Sequence, residues 1–333
     1  MLNKYRLVHN RSPGDIVVMT GFVRDLVRTY PGIKVDVKTS CKDIWRHNPY
    51  ITKIPETEEV RQIKLCYQSG IKRQNRETIH FLGEFHYNFE RQTRLRVPIT
   101  EPKPDLHLSS EERASPIVSG RYWVIVAGGK SDATVKIWDY KYWQQAVDLL
   151  ATYGIQVVQL GARESGHDHA ELTGTLNLVG KTNLRDMIRI IAHADGVICG
   201  VTAAMHMAAG LEKPCVAIGG GREHWPWEAY VRENRGLQCP EKLKIPHRYL
   251  HTIGLLSCCE RFGCWKNKVA PLNGDTLLCH MPVIKPGQAI PRCMDIITPE
   301  MVVTGVISYY LDGTLPPIGS YENMFKMRPQ PPS

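Results

Sequence analysis

The chain has 333 residues, of which 43% are hydrophobic and 23% are charged. At roughly 100–200 residues per domain, this length predicts about two domains, each able to bury its own core. The composition lies near the globular average and excludes a disordered, collagenous or coiled-coil chain. The 42 basic and 33 acidic residues give a net charge of +9.

The positive charge is concentrated in the first third of the chain. Residues 1–100 hold 18 basic and 10 acidic residues, a net charge of +8, whereas residues 101–333 hold 24 and 23, a net charge of +1. A basic domain joined to a neutral one favours a polyanionic partner such as nucleic acid, a phosphorylated saccharide or anionic lipid. The alternative is a basic surface that only keeps the protein soluble.

Hydropathy bears on the compartment. The sequence has no apolar run of the ~18–20 residues that a membrane helix needs, and residues 1–15 lack the apolar stretch of a signal peptide. We therefore expect no transmembrane segment and a cytoplasmic location. Peripheral contact with the inner face of a membrane remains open.

Residues 1–100 are predicted to form an N-terminal α/β domain. Residues 5–8 predict a strand, and apolar residues at helical spacing over residues 16–30 predict a helix, which a Pro-Gly pair ends. A second strand is predicted at residues 33–37. Strand, helix and strand in this order form a βαβ unit with parallel pairing. Residues 101–120, rich in proline, serine and charge, are predicted to be a linker.

Residues 121–312 are predicted to form a second α/β domain, followed by a C-terminal tail at residues 313–333. The predicted strands are residues 122–127, 155–160, 176–179, 196–199 and 215–218, and the predicted helices are residues 140–153, 184–194, 202–211 and 298–311. Two such domains face each other across a cleft between the carboxyl ends of their sheets, where ligands of these folds bind.

Two familiar phosphate-binding motifs are absent from the sequence. No predicted strand is followed by G-x-G-x-x-G, which disfavours a dinucleotide-dependent dehydrogenase. Gly174–Thr182 resembles a P-loop but has five residues between its glycines where four are required. A P-loop ATPase is therefore not favoured either.

Asp15 lies in the loop between the first predicted strand and its helix, directly after Gly14. An acidic residue there is explained by structure alone, because aspartate caps helix N–H groups and complements the helix dipole. The chemical interpretation is different. A carboxylate at the edge of a cleft can accept the proton of an attacking hydroxyl group.

Residues 194–221 contain the most distinctive segment of the sequence. A predicted strand ends at Gly200, and the small residues Thr202 and Ala203 then open a helix. Small side chains let a phosphate approach the free N–H groups of a helix start, and the helix dipole favours the anion. His206 lies one turn into this helix, where it is either a structural histidine or a donor to a phosphate oxygen.

Four blocks of the sequence together resemble glycosyltransferase family 9, the heptosyltransferases of lipopolysaccharide synthesis. In order, the blocks are Gly14-Asp15 with its helix, Lys136–Trp138 after the loop of residues 127–129, Leu178–Arg185 and Met205–Pro214. The resemblance implies a GT-B fold, in which two Rossmann-like α/β domains face each other across a cleft. It also implies an N-terminal acceptor domain, a C-terminal nucleotide-sugar domain, and inverting transfer that needs no metal for chemistry.

The resemblance also implies roles for individual residues. Asp15 matches the base proposed for the family, and Lys136 matches the lysine that neutralises the donor phosphate, with Lys130 and Thr134 as neighbours. Glu164 matches an acid that hydrogen-bonds the ribose of the nucleoside. The residues that match the phosphate-binding helix start are Thr202, Ala203 and His206.

The sequence departs from the family pattern at one position of that helix start. The family has Asp-Ser/Thr-Gly before its Met-His pair, whereas this chain has Val201-Thr202-Ala203. The missing carboxylate normally contacts the donor sugar. An ADP-heptose donor therefore does not follow from the resemblance.

Ten cysteines in a chain expected in the cytoplasm argue against a disulfide framework. Six of them lie within residues 239–293, predicted to be a Cys-rich insertion in the second domain. Zinc takes four thiolate or imidazole ligands, and this stretch offers more than enough, although it has no C-x2-C pair. A structural zinc, reduced buried thiols, and a cluster or disulfide remain open. The candidate zinc ligands are Cys258, Cys259, Cys264, Cys279 and Cys293.

Taken together, these features favour an inverting glycosyltransferase that moves a sugar from a nucleotide-sugar donor to a hydroxyl of a polyanionic acceptor. Asp15 would deprotonate the acceptor, while Lys136 and the helix start at Thr202 stabilise the leaving diphosphate. The expected acceptor is a lipopolysaccharide-core-like or other surface glycan, and hydroxymethylated DNA is the first alternative. The second alternative is a non-catalytic nucleic-acid-binding protein on a transferase scaffold.

Overall fold

The structure, a computed structural model, describes residues 3–164, 166–270 and 277–318. The predicted C-terminal tail therefore lies outside the described residues from position 319 onward. Within the described ranges, the chain forms two α/β domains, each built on a parallel sheet. No helix in this part of the chain is long and apolar enough to cross a membrane.

The N-terminal domain is a three-stranded parallel sheet covered by helices, with its first strand in the centre. Its elements are β1 (Lys4–His9), α1 (Pro13–Thr29), β2 (Lys34–Thr39), β3 (Arg61–Lys64), α2 (Gln68–Arg73) and α3 (Phe81–Thr93). The predicted βαβ unit is confirmed. Proline at the first position of α1 fits a helix start, and the apolar residues of that helix are buried, with α3 on one side and a helix of the second domain on the other.

The connection between the two sheets contains the short helix α4 (Ser110–Ala114). The predicted linker, residues 101–120, is held against both domains. The buried guanidinium of Arg24 on α1 donates to the carbonyls of Glu101 and Lys103, at 2.8 and 3.0 Å. From the second domain, Arg185 donates to the His107 carbonyl at 2.8 Å and to the Glu112 carboxylate.

The second domain is a six-stranded parallel sheet of order β11-β10-β9-β4-β6-β8, with two separate two-stranded antiparallel sheets beside it. Its strands are β4 (Trp123–Val126), β5 (Gly128–Lys130), β6 (Val157–Gln159), β7 (His167–His169), β8 (Leu176–Asn177), β9 (Gly196–Gly200), β10 (Cys215–Gly220), β11 (Arg248–His251), β12 (Pro282–Lys285) and β13 (Gln288–Pro291). Its helices are α5 (Tyr140–Thr152), α6 (Leu184–His193), α7 (Ala203–Gly210), α8 (Arg292–Asp295) and α9 (Pro299–Leu311).

The predicted insertion at residues 239–293 is wrong in one respect. Residues 248–251 form β11, which pairs in parallel with β10 and is a strand of the main sheet. The sequence signal was weak because this strand is only half-buried and carries no apolar run. Cys239 is also separate from the other cysteines, since its thiol contacts the Ile99 carbonyl at 3.7 Å.

Candidate functional site

The start of α1 in the first domain packs directly against the start of α7 in the second. Gly14 makes this approach possible, because a Cβ at that position would lie 3.2 Å from Cδ2 of His206 and 3.4 Å from Cα of Ala203. The next residue along α1 is Asp15. The structure therefore places the residue next to Asp15 in contact with the first turn of the helix that Thr202 begins.

Asp15 is held by side chains rather than by the helix backbone. The Tyr67 hydroxyl donates to Oδ2 of Asp15 at 3.0 Å, and Nε2 of His9 lies 3.8 Å from the same oxygen. Burial, strengthened by the charge of Asp15, raises the pKa of Tyr67, so the phenol keeps the proton that it donates. Among the described residues, no helix N–H bonds to this carboxylate, which favours the chemical interpretation of Asp15 over capping.

The first turn of α7 has no side-chain cap. Thr202 is the N-cap residue in extended conformation, yet its side chain caps no N–H group and its Oγ1 is buried without a partner. Helix starts whose N–H groups are not capped attract phosphate oxygens. The helix is otherwise buried, which fixes this turn firmly at the carboxyl end of β9.

His206 is more constrained than the sequence indicated. Nδ1 of its ring lies 2.9 Å from the Tyr230 hydroxyl, and Nε2 lies 3.3 Å from a carboxylate oxygen of Glu228. Nδ1 thus has a hydrogen-bond partner, whereas Nε2 is near a Glu228 oxygen that accepts no hydrogen bond.

Lys136 lies at the same edge of the sheet. Its carbonyl is 3.3 Å from where a Cβ of Gly200 would stand, so its backbone passes beside the end of β9. Its ammonium group is 2.7 Å from Oε1 of Glu223, and Arg222 pairs with the same oxygen. Burial alone would raise the pKa of Glu223, but the charges of Lys136 and Arg222 lower it below its ordinary value. This carboxylate is therefore ionised.

The remaining predicted donor-side residues lie around the rim. The exposed Lys130 donates to the Ser12 hydroxyl at 3.3 Å, a bond that crosses from one domain to the other. Thr134 accepts from the Val269 N–H at 3.1 Å. Glu164 is exposed in the loop after β6, where its backbone carbonyl accepts from the His167 N–H at 3.1 Å, and the structure joins its side chain to none of the other predicted site residues.

Residues 222–230 form an aromatic bridge between the two domains. Trp227 stacks on Phe81 of α3 with ring centroids 5.4 Å apart, and Trp265 packs on Trp227. Nδ1 of His224 also lies 3.1 Å from the Gln74 carbonyl. Glu223, Glu228 and Tyr230 in this stretch were not predicted as individual site residues, although its density of aromatic and acidic residues was a signal.

Five of the ten free cysteines line one cavity. They are Cys258, Cys259, Cys264, Cys279 and Cys293. The cavity between them has a volume of about 10 Å³, which is room for one atom the size of a water molecule. Burial raises the pKa of Cys259 to about 11 and that of Cys293 to about 12, so these thiols are protonated at neutral pH. Among the described residues, no three His, Cys, Asp or Glu side chains are arranged to hold a metal ion.

Two parallel α/β domains that meet at the carboxyl edges of their sheets define the GT-B class of fold. Three solved structures share the fold. They are the dodecameric, iron-containing heptosyltransferase TibC of E. coli H10407 in complex with ADP-D-beta-D-heptose (16% identity, 94% of this chain and 77% of that chain, TM-score 0.64), a family 9 glycosyltransferase of Veillonella parvula (12%, 93% and 97%, 0.62), and the E. coli ADP-heptose lps heptosyltransferase II (16%, 94% and 100%, 0.55).

The sequence places the chain within one family of this class. The profile of glycosyltransferase family 9 (heptosyltransferase) matches residues 59–249, more than half of the chain, and the chain belongs to this family. A curated relative, the lipooligosaccharide heptosyltransferase 2 of Haemophilus influenzae, is 25% identical over 122 residues, 34% of this chain. The match spans 35% of that relative. Both the predicted resemblance and the predicted fold class are thereby confirmed.

Proposed function

We propose that the protein transfers a sugar, with inversion at the anomeric carbon, from a nucleotide-sugar donor to a hydroxyl of a polyanionic, lipopolysaccharide-core-like or other surface glycan. The contact at Gly14 carries this proposal, because it places the residue next to Asp15 against the start of α7 in the second domain. In a direct displacement the base acts on the acceptor hydroxyl, and the anion site holds the leaving group of the donor. The two must therefore lie close together.

Asp15 is the proposed general base. Its side chain is only 15% exposed, so a hydroxyl bound there meets little competing water. Tyr67 donates to one carboxylate oxygen and leaves the other to accept the proton of the acceptor hydroxyl. The deprotonated oxygen then attacks the anomeric carbon while the bond to the diphosphate breaks.

The donor diphosphate is proposed to lie between the first turn of α7 and Lys136. The uncapped N–H groups at Thr202 and Ala203 and the ammonium of Lys136 would stabilise the charge that develops on the leaving group. Further donor contacts are proposed for His206 through Nε2, for Lys130 and Thr134 at the rim, and for Glu164 with the ribose hydroxyls. The ADP-D-beta-D-heptose bound by TibC is a donor of this chemical class.

A polyanionic acceptor is proposed from the charge around Asp15. Arg11 lies over the ring of Tyr67, 5.6 Å from its centroid, and Lys72, Arg73 and Arg76 follow Tyr67 along α2 and the turn after it. Of these, Arg73 pairs with Glu77 and Glu84, so Arg11, Lys72 and Arg76 are the cations proposed to face the acceptor. Where the acceptor is anchored in a lipid layer, the same surface would contact anionic headgroups at the inner face of a membrane.

A structural metal is proposed at the five-cysteine cavity. The donor set suits zinc or iron, both of which take thiolates, and the cavity has room for one atom. As the chain stands the thiols do not converge, so binding would turn four of them inward with loss of their protons. No chemical step depends on this metal. TibC, which shares the fold, is described as iron-containing.

Metal content tests this second proposal without reference to activity. Protein purified without added metal should carry about one zinc or iron per chain by elemental analysis, and Cys264→Ser together with Cys279→Ser should abolish it. Cys199→Ser, a buried cysteine elsewhere in the second domain, is the matched control. Metal-free protein with all ten thiols titratable after unfolding would contradict the proposal.

Donor binding is the first test of the transferase proposal. A ligand that binds only the folded state raises the melting temperature by mass action, so the purified chain is screened against ADP-, UDP- and GDP-sugars. The stabilising donor is then incubated with phosphorylated core oligosaccharide, and sugar transfer is measured by mass spectrometry. Stabilisation by a nucleotide sugar with transfer to the oligosaccharide is the expected result. If no nucleotide sugar binds, the proposal is wrong.

A further inference from the structure

Glu223 is a buried carboxylate with an unusual set of contacts. It is 3% exposed, and one oxygen, Oε1, takes both cations, Lys136 and Arg222. The other oxygen, Oε2, is buried without a hydrogen-bond partner. An ionised oxygen in the interior without a donor is costly, and such an atom in a native fold calls for an explanation.

The location of Glu223 limits what that explanation can be. It follows β10, whose neighbour β9 leads into the turn Val201–Ala203 and the open start of α7. Lys136 joins the two features, since its backbone passes beside Gly200 and its ammonium reaches Glu223. The carboxylate therefore stands next to the proposed diphosphate site, in a region where the strand-to-helix turn offers no acid.

The segment after β11 prevents Glu223 from moving away. A Cβ on Gly263 would lie only 2.4 Å from the Arg222 carbonyl and 2.6 Å from the backbone carbon of Glu223, so the two segments are in direct backbone contact. The N–H groups of Cys264 and Trp265 bond to the carbonyls of Gly221 and Arg222, at 3.1 and 2.9 Å. Arrival of a diphosphate would draw the flexible Lys136 side chain while the backbone of Glu223 stays in place.

We propose that Glu223 binds a hydroxyl of the donor sugar. This inference rests on the proposed function, because it assigns the sugar end of the nucleotide-sugar site. Once Lys136 turns to the diphosphate, neither oxygen of Glu223 receives a hydrogen bond from a lysine. A sugar attached to that diphosphate presents hydroxyl donors within the same small region. Glu223 is thus a specificity-determining residue, which selects the sugar and not the nucleotide.

The test compares two ligands rather than one. Dissociation constants for the nucleoside diphosphate and for its sugar conjugate are measured by calorimetry in the unaltered protein, Glu223→Gln and Glu223→Asp. Glu223→Gln removes a negative charge beside the phosphates and should bind the free diphosphate at least as tightly. The gain in affinity that the sugar confers should fall roughly tenfold, because a hydrogen bond to a charged acceptor is lost.

The two variants keep the result interpretable. Glu223→Asp keeps the charge with Lys136 and Arg222 but shortens the reach, so it should keep the affinity for diphosphate and lose the sugar gain. Glu84→Gln, a buried carboxylate paired with Arg73 in the other domain, is the matched control and should change neither constant. A sugar gain that is unchanged in both Glu223 variants overturns the inference, as does equal affinity of the unaltered protein for both ligands. Failure of the unaltered protein to bind either ligand would instead overturn the proposed function.

Discussion

The hydroxyl of Tyr67 donates to Oδ2 of Asp15 at 3.0 Å, and so ties the segment after β3 to the first turn of α1. Its ring packs in turn on Phe81 of α3, with centroids 4.5 Å apart. The carboxylate is therefore oriented by a side chain that is itself held rigidly by packing. Such support is what a positioned base needs to act in one geometry.

Asp15→Asn should keep the fold and donor binding but remove most transfer. The amide preserves the shape of the side chain and can still accept from Tyr67, but it cannot take up a proton. Loss of a general base costs about 10²–10⁴ in rate, measured here as turnover at saturating donor. Asp43→Asn, an exposed aspartate paired with Arg46, is the control. Transfer by Asp15→Asn near the unaltered rate would return Asp15 to a structural role.

Tyr67→Phe should lower kcat roughly tenfold and leave the KM for the donor unchanged. The ring keeps its packing, but the carboxylate of Asp15 loses the hydroxyl that orients it. Loss of donor affinity together with turnover would indicate a purely structural role instead. Tyr87→Phe, a tyrosine of α3 that lies under the guanidinium of Arg73, should leave both unchanged.

The sequence predicted the parts of this site that depend on local pattern. The starts of α1 and α7, with Asp15 and Thr202, follow from helix periodicity and small residues over a few positions. The partners of these residues did not follow, because Tyr67 is 52 positions from Asp15 and only the sheet order β2-β1-β3 brings them together. The pair of Lys136 and Glu223 was missed for the same reason.

Lys136→Ala should weaken binding of the preferred nucleoside diphosphate roughly tenfold or more. A charge-assisted hydrogen bond is worth about 1.5–3 kcal/mol, and the variant loses at least one. The ligand-free melting temperature should also fall, because Glu223 keeps only Arg222 as a cation partner. Lys141→Ala, on the exposed surface of α5, is the control. An unchanged dissociation constant would exclude Lys136 from the donor site.

His247 should make the fold sensitive to acid. It is fully buried, and burial followed by the charge of His206 lowers its pKa to about 3 from an ordinary value of 6.5. Between pH 6.5 and pH 3, His247 takes up a proton in the unfolded chain but not in the folded chain. The free energy of unfolding is therefore highest above pH 6.5 and decreases as the pH falls. At pH 5 the loss is roughly 2 kcal/mol.

His247→Phe should remove that part of the acid loss, since the ring keeps a similar shape without a titratable nitrogen. Urea unfolding at pH 7 and pH 5 gives the difference directly. His280→Phe, at a histidine on the rim of the cysteine cavity, serves as the control. The assignment is contradicted if the variant loses as much stability between the two pH values as the unaltered chain.

The salt dependence of acceptor binding should separate the candidate acceptors. Each phosphate of duplex DNA that a protein neutralises releases counterions, so log K falls against log salt by about 0.9 per contact. A core oligosaccharide with a few charges is governed by ordinary screening and should give a shallower slope. Lys72→Gln with Arg76→Gln should weaken binding of the oligosaccharide, because both cations lie in the segment that follows Tyr67, which contacts Asp15. Lys141→Gln is the control.

A steep slope with DNA does not by itself make DNA a substrate, because a basic surface binds any duplex through its phosphates. Transfer is the deciding measurement: the labelled donor is supplied with either hydroxymethylated DNA or the phosphorylated oligosaccharide, at the same salt concentration. We expect sugar on the oligosaccharide, with a rate that falls in the Lys72→Gln, Arg76→Gln variant. Sugar on the DNA alone would reassign the acceptor while leaving the roles of Asp15 and Lys136 intact. If neither acceptor binds nor is glycosylated, the charge of residues 1–100 serves solubility and the polyanionic acceptor is wrong.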